Sequence, residues 1–236
     1  MDRYKSYFIA VTLSISVING VVAQTTNILT KIEKQKGWHL LFDGKTFNGW
    51  KKLADTGWVI EEGELRAKAF NDGRQKDIIT VDQFENFELS LEFKISKLTN
   101  SGIKYLVTDS YPGHEGSYLG LEYQILDDIN YKYPERGIYR STASLYDLIP
   151  AKNKRIISLN EWNTARIIVK GNHVEHWLNG RLVVEYDRST NDFNVLVHDS
   201  KYRDLKKFGK TITGHILLQN EGTPIAFRSI KIRPLF

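Results

Sequence analysis

Two side chains stand out by type and spacing. Glu122 and Gln124 interrupt an otherwise apolar run, in which Leu121, Tyr123 and Ile125 alternate with them. In a strand this alternation puts the carboxylate and the amide on one face, roughly 7 Å apart, and the three apolar residues on the other. Burying such groups without partners is costly, so the pair is expected to line a wet concave surface. A plain solvent-facing strand would show the same pattern. Asn100 and Ser101 precede Gly102 in a segment that favours a turn with side chains bonded to nearby backbone, and the strand that follows brings Tyr105 near the same edge. Further candidates are Arg140 and Tyr146 at either end of one short polar stretch, Lys201, and the tail run 217–222. There Gln219 and Glu221 share a face and repeat the arrangement of Gln124 and Glu122. Two polar strand faces, each with a carboxylate, can meet across one groove.

Other chemistries are excluded by what the chain does not contain. It has no cysteine, which removes disulfides, thiolate zinc sites and a cysteine nucleophile together. Its six histidines, His39, His114, His173, His176, His198 and His215, show no helical metal motif, and His173 and His176 fall at an expected hairpin. Glycine-rich phosphate loops, a serine elbow and a dinucleotide fingerprint are absent. Chemistry here must run on carboxylates, His, Lys, Tyr or a bound cation.

The elements that must hold these residues are strands. The 236 residues are 41% hydrophobic and 26% charged, a globular composition with enough length for a sizeable core. Leu89, Leu91, Phe93 and Ile95 alternate with polar residues, and similar runs recur at 58–60, 64–67, 103–107, 120–126, 165–169, 174–178, 182–186, 216–219 and 226–232. About ten strands with few helical windows predict an all-β antiparallel sandwich of two sheets. Asn179-Gly180 and Gly171-Asn172 are hairpin turns that make 165–186 a three-stranded meander. Short helical turns are expected at 31–36 and 200–208. Residues 37–236 read as one domain, preceded by a leader over 24–36.

Residues 1–23 carry Arg3 and Lys5, then an uncharged run over 6–22, and end in Val21-Val22-Ala23. This reads as a secretory signal peptide, which predicts export to a bacterial envelope and no membrane span after cleavage. The net charge is +5 over the whole chain and +4 once that segment is removed. Basic residues cluster at 152–155 and 201–210 with no nucleic-acid motif around them, so they read as solvated surface and no nucleic-acid partner is expected.

Several motifs in order resemble one family. They are Gly37-Trp-His-Leu-Leu-Phe-Asp-Gly-Lys-Thr-Phe-Asn-Gly-Trp50, the Asn100-Ser-Gly-Ile103 turn, Gly120-Leu-Glu-Tyr-Gln-Ile-Leu-Asp127, Glu161-Trp-Asn163, Trp177-Leu-Asn-Gly180, Gly214-His-Ile-Leu-Leu-Gln219 and Phe227-Arg-Ser-Ile-Lys-Ile-Arg233. Together they resemble the 3-keto-disaccharide hydrolase family. The resemblance implies a concanavalin A-like jelly roll whose concave face handles carbohydrate, usually in an exported bacterial protein. It also implies glycoside cleavage, in some members of sugars first oxidised at carbon 3, and a site formed by Asn100, Ser101, Glu122, Gln124, Asp127 and Gln219. The tail departs from the family pattern: Asn220-Glu221-Gly222 stands where members often carry Asp-His-Gly, so a carboxylate replaces a histidine.

Two mechanisms follow from such a substrate. An ordinary glycosidase uses two carboxylates, here Glu122 with Asp127 or Glu221. A 3-keto sugar permits a second route, in which a base removes the acidified proton at carbon 2 and the enolate expels the substituent at carbon 1. Glu122 or His114 is the expected base, and Lys201, Arg140 or one divalent cation would stabilise the enolate. Asp127 also reads as a turn cap with Asp128. Of the tryptophans, Trp162 and Trp177 are expected in the core, and Trp50 and Trp58 are candidates for stacking on sugar. A non-catalytic, lectin-like carbohydrate module is the alternative function, and a structural surface domain the third.

Overall fold

The computed structural model describes residues 26–72, 75–109, 117–131 and 137–236. The expected signal segment and His114 lie outside them. The strands are, in chain order, β1 (His39–Leu40), β2 (Trp50–Lys52), β3 (Trp58–Glu61), β4 (Glu64–Ala67), β5 (Ile78–Thr80), β6 (Phe87–Ile95), β7 (Asn100–Thr108), β8 (Leu119–Leu126), β9 (Trp162–Lys170), β10 (His173–Leu178), β11 (Arg181–Asp187), β12 (His215–Leu218) and β13 (Ile225–Pro234). Two α-helices accompany them, α1 (Lys31–Gln35) and α2 (Asn191–His198).

The strands form two antiparallel sheets. One runs β11-β10-β9-β6-β13-β4-β3, with β1 also paired to β13, and the other runs β2-β5-β12-β7-β8. The period-two pattern sets the core between them. Leu89, Leu91, Phe93 and Ile95 from β6 and Ile103, Tyr105, Tyr123 and Ile125 from β7 and β8 all enter one buried cluster. This is the two-sheet antiparallel sandwich that the alternation predicts, with the jelly-roll architecture that the family resemblance implies.

The meander over β9, β10 and β11 forms as expected, each strand antiparallel to the next. Asn179 and Gly180 both take positive φ at its second turn, at 49° and 76°. At the first turn only Gly171 does, at 60°. The second expected helical turn is displaced. Residues 201–209 form successive turns, and the regular helix is α2 just before them, where the Thr190 hydroxyl caps the Phe193 amide. In the leader, α1 closes with a capping box between Thr30 and Glu33, and the Asn27 side chain bonds Gly63 and Ser229.

The tryptophans exchange places relative to expectation. Trp50 and Trp58 are buried, and their indole N–H groups donate to the carbonyls of Leu41 and Lys76. Trp162 and Trp177 instead lie half-buried on the outer face of the larger sheet. The guanidinium of Arg228 sits 4.0 Å from the Trp162 ring, and that of Arg166 sits 4.8 Å from Trp177. Strand parity decides this: Asn163, Ala165 and Ile167 point inward, so Trp162 must point out.

Candidate functional site

The outer face of the five-stranded sheet carries a pocket of about 310 Å³. Three strands build its floor. In the pairing of β7 with β8, Lys104 stands opposite Glu122 and Gly102 opposite Gln124, and on the other side of β7 the Gln219 amide donates to the Gly102 carbonyl at 3.0 Å. Glu122, Gln124, Asn100, Lys104 and Gln219 therefore share one face, and all line the pocket.

Gly102 makes room at the centre. A Cβ there would lie 2.2 Å from Gln219 Oε1 and 3.0 Å from Glu122 Oε1, so the two side chains cross a space that only glycine leaves open. Gln124 Nε2 donates to Asn100 Oδ1 at 3.0 Å, which orients both amides along the floor.

The walls come from loops laid against the sheet. Residues 143–146 run along β8, with the Ala143 amide donating to the Gln124 carbonyl at 2.8 Å, the Gln124 amide to the Ser144 carbonyl at 3.1 Å and the Tyr146 amide to the Glu122 carbonyl at 3.0 Å. Tyr146 thereby lines the same pocket as Glu122. Lys201 reaches over from the turns after α2, its Nζ 4.3 Å from the Tyr146 ring and 5.1 Å from that of Tyr202. On the opposite rim, Glu221 Oε1 accepts from Gln75 Nε2 at 2.6 Å and from Gln219 Nε2 at 3.4 Å.

The electrostatics centre on Glu122. It is only 7% exposed, and among the described residues no hydrogen bond reaches its carboxylate. Desolvation pushes its pKa up to about 7. The ammonium groups of Lys104 and Lys201 oppose the rise, while Glu221 and Asp77 add to it. Asp77, buried beside the pocket with its carboxylate on the Asn220 amide, is raised to about 6, again chiefly by burial. Burial lowers the pKa of Lys201, with Glu122 and Asp147 acting against that shift. The result is a carboxyl group that can hold or release a proton near neutrality, flanked by two cationic side chains and by four amides.

Of the residues singled out by sequence, Asn100, Glu122, Gln124, Tyr146, Lys201, Gln219 and Glu221 meet in this pocket. Others do not. Tyr105 points into the core, where its hydroxyl bonds His176 Nε2 at 2.8 Å and the Tyr186 hydroxyl at 2.6 Å. It neighbours Lys104 in sequence and therefore takes the opposite face. Ser101 is fully buried and its hydroxyl donates to the Gln219 carbonyl, fastening the chain beneath the pocket. Asp127 is a cap: its carboxylate accepts from the amides of Leu98, Ile129 and Asn130, which hold its pKa below the ordinary carboxylate value despite desolvation. Arg140 stands behind the wall, with Nε on Asp147 Oδ1 at 3.1 Å and its guanidinium 5.5 Å from the Tyr146 ring.

Lys104, Gln75 and Tyr202 are pocket residues that the sequence reading passed over. Lys104 was findable. It lies two and four residues from Gly102 and Asn100, so period two puts it on their face. Gln75 and Tyr202 come from loops and carry no such signal. As for a cation, the pocket presents Glu122 and Glu221, but among the described residues no trio of His or carboxylate atoms at ligand spacing occurs in it. The positive charge beside Glu122 is supplied by lysine.

Comparisons with known proteins agree with this architecture. The chain is 35% identical over 228 residues to a 3-keto-disaccharide hydrolase of Bacteroides thetaiotaomicron, covering 84% of this chain and 79% of that one. A solved candidate glycosyl hydrolase from Parabacteroides distasonis superposes with a TM-score of 0.81 at 30% identity, over 90% of this chain and all of that one. A Bacillus subtilis protein with a galectin-like fold matches at a TM-score of 0.50 and 13% identity over 89% of this chain and 95% of that one, a likeness of fold alone. Residues 37–233 match the model of the 3-keto-alpha-glucoside-1,2-lyase-like domain, and the chain belongs to that family.

Proposed function

We propose that the protein cleaves the glycosidic bond of sugars that carry a ketone at carbon 3, with Glu122 as the base. The observation that carries this reading is a desolvated carboxyl group titrating near neutrality between two lysine ammonium groups, in a pocket otherwise lined with amides. The family and the name of the Bacteroides relative supply the substrate class.

The carbonyl at carbon 3 acidifies the hydrogen at carbon 2. Glu122 takes that proton, and the electron pair of the broken C–H bond is delocalised onto the ketone oxygen as an enolate. Lys104 and Lys201 stabilise the developing negative charge. The enolate collapses to a double bond between carbons 1 and 2 and expels the substituent at carbon 1, which leaves with the proton held by Glu122. The product is an unsaturated 3-keto sugar. Addition of water across its double bond completes a net hydrolysis; release without addition is a lyase outcome. Asn100, Gln124 and Gln219 are placed to hold hydroxyl groups and fix the ring over Gly102.

A base whose pKa lies near the working pH balances ionisation against proton affinity, and this favours Glu122 over an exposed carboxylate. Export to the bacterial envelope belongs to the same reading and rests on the N-terminal segment over 1–23. The test pairs native and 3-keto disaccharides, with and without chelator. Turnover of the oxidised sugars alone, lost in Glu122→Gln, supports the reading. Saturable binding of native glycans with no product from either would make the protein a lectin-like module instead.

A further inference from the structure

We propose that His173, Glu175 and Glu185 form a site for one zinc-class divalent cation on the outer face of the larger sheet, separate from the sugar pocket. His173 and Glu175 alternate with buried Val174 and His176 on β10, so both point outward. Glu185 on β11 is the direct cross-strand partner of Glu175. Like charges placed in this way repel and weaken a sheet. Here the two carboxylates converge on one imidazole nitrogen: His173 Nε2 lies 3.0 Å from Glu175 Oε1 and 3.7 Å from Glu185 Oε1.

The spacing fits a metal. Ligand atoms each about 2.0–2.2 Å from a tetrahedral zinc ion stand roughly 3.3–3.6 Å apart; the two His173–carboxylate pairs, at 3.0 and 3.7 Å, bracket that range, and all three atoms lie within 4.8 Å of one another, so small side-chain rotations bring them to ligand spacing. Glu175 is also oriented from behind, because its other oxygen accepts from Trp177 Nε1 at 2.6 Å and that indole packs under Arg166. Outer hydrogen bonds of this kind fix ligand carboxylates in metal centres. The neighbouring Asp187 is already engaged by the amide and hydroxyl of Ser189, which leaves three protein ligands and an open coordination position. An imidazole in the set favours zinc, or cobalt in its place, over calcium, magnesium and manganese, which prefer oxygen ligands. The pocket with Glu122 lies on the other sheet, so the two sites are independent.

The experiment is calorimetric titration of Zn²⁺ into tag-free, chelator-treated protein, in the wild type and in His173→Ala, Glu185→Gln and Glu122→Gln. The expected result is one equivalent bound by the wild type and by Glu122→Gln, weakened at least about tenfold in the other two. Zinc should raise the melting temperature of the first two proteins, and cobalt should give the absorption bands of low-coordinate ligation. Glu185→Gln removes the carboxylate while keeping the shape of an exposed side chain, so the result does not depend on His173→Ala folding. Absence of saturable zinc binding below about 1 mM, an equivalent retained undiminished in both hairpin variants, or calcium binding as tight as zinc would each overturn the proposal.

Discussion

Replacing Glu122 by glutamine keeps the shape of the side chain and removes its charge, which separates what the residue does for folding from what it does for the reaction. Folding raises the carboxyl pKa from 4.5 to about 7, mainly by desolvation. Between these values the native state binds the proton more tightly than the unfolded chain does, so the stabilisation is complete below pH 4.5 and is lost as the pH rises through about 7. At about 1.4 kcal/mol per pK unit, the wild type gives up roughly 3 kcal/mol across that window. Glutamine does not titrate. The variant should therefore gain about 3 kcal/mol relative to the wild type at pH 8, compared with the difference between them at pH 4. Urea unfolding followed by tryptophan fluorescence at both pH values measures this directly. Cleavage of a 3-keto disaccharide by the same preparation should fall by about 10²–10⁴-fold. A variant that is more stable at alkaline pH and nearly inactive is what a desolvated base requires. A stability difference that does not change with pH, or one of opposite sign, would refute the electrostatic argument, and undiminished turnover would refute the catalytic one.

Lys104→Met removes a charge that lowers the pKa of Glu122, so the acidic limb of the kcat/KM profile should move to higher pH; a pH–rate series checks it, and an unmoved limb would mean that the two groups do not interact. Gly102→Ala would push the Gln219 amide off its position and intrude on Glu122, with an expected loss on the order of 10²-fold in kcat/KM and little change in melting temperature, since the closest atom is the end of a flexible side chain. Tyr105→Phe deletes the hydroxyl that joins His176 to Tyr186 in the core, and should cost about 1–3 kcal/mol in urea unfolding while leaving kcat unchanged.

The contrast between Tyr105 and Lys104 shows where linear reading fails. Both lie in the strand after Gly102, and an aromatic hydroxyl is the more familiar sugar ligand. Parity assigns them to opposite faces, and which face is wet depends on the second sheet, which covers Tyr105 and leaves Lys104 exposed to the pocket. The tryptophans of the larger sheet obey the same rule: arginines and lysines above Trp162 and Trp177 shield those rings without burying them. Asp127 was ambiguous between acid and cap because both roles use a carboxylate at a strand end, and only the converging amides of Leu98, Ile129 and Asn130 distinguish them.

By itself the amino-acid order determined the strands other than the short β1, β2 and β5, the meander with its Asn179-Gly180 turn, and the common face of Glu122 and Gln124, because each follows from side-chain alternation and turn chemistry within a few residues. Tertiary structure alone decided that Glu122 sits beside Lys104, Lys201 and Gln219, and that its proton is held to about pH 7. Those partners come from strands and loops up to about a hundred residues apart in sequence. A pKa depends on the water and charge around a group in space, and neither is written in the spacing of its neighbours along the chain.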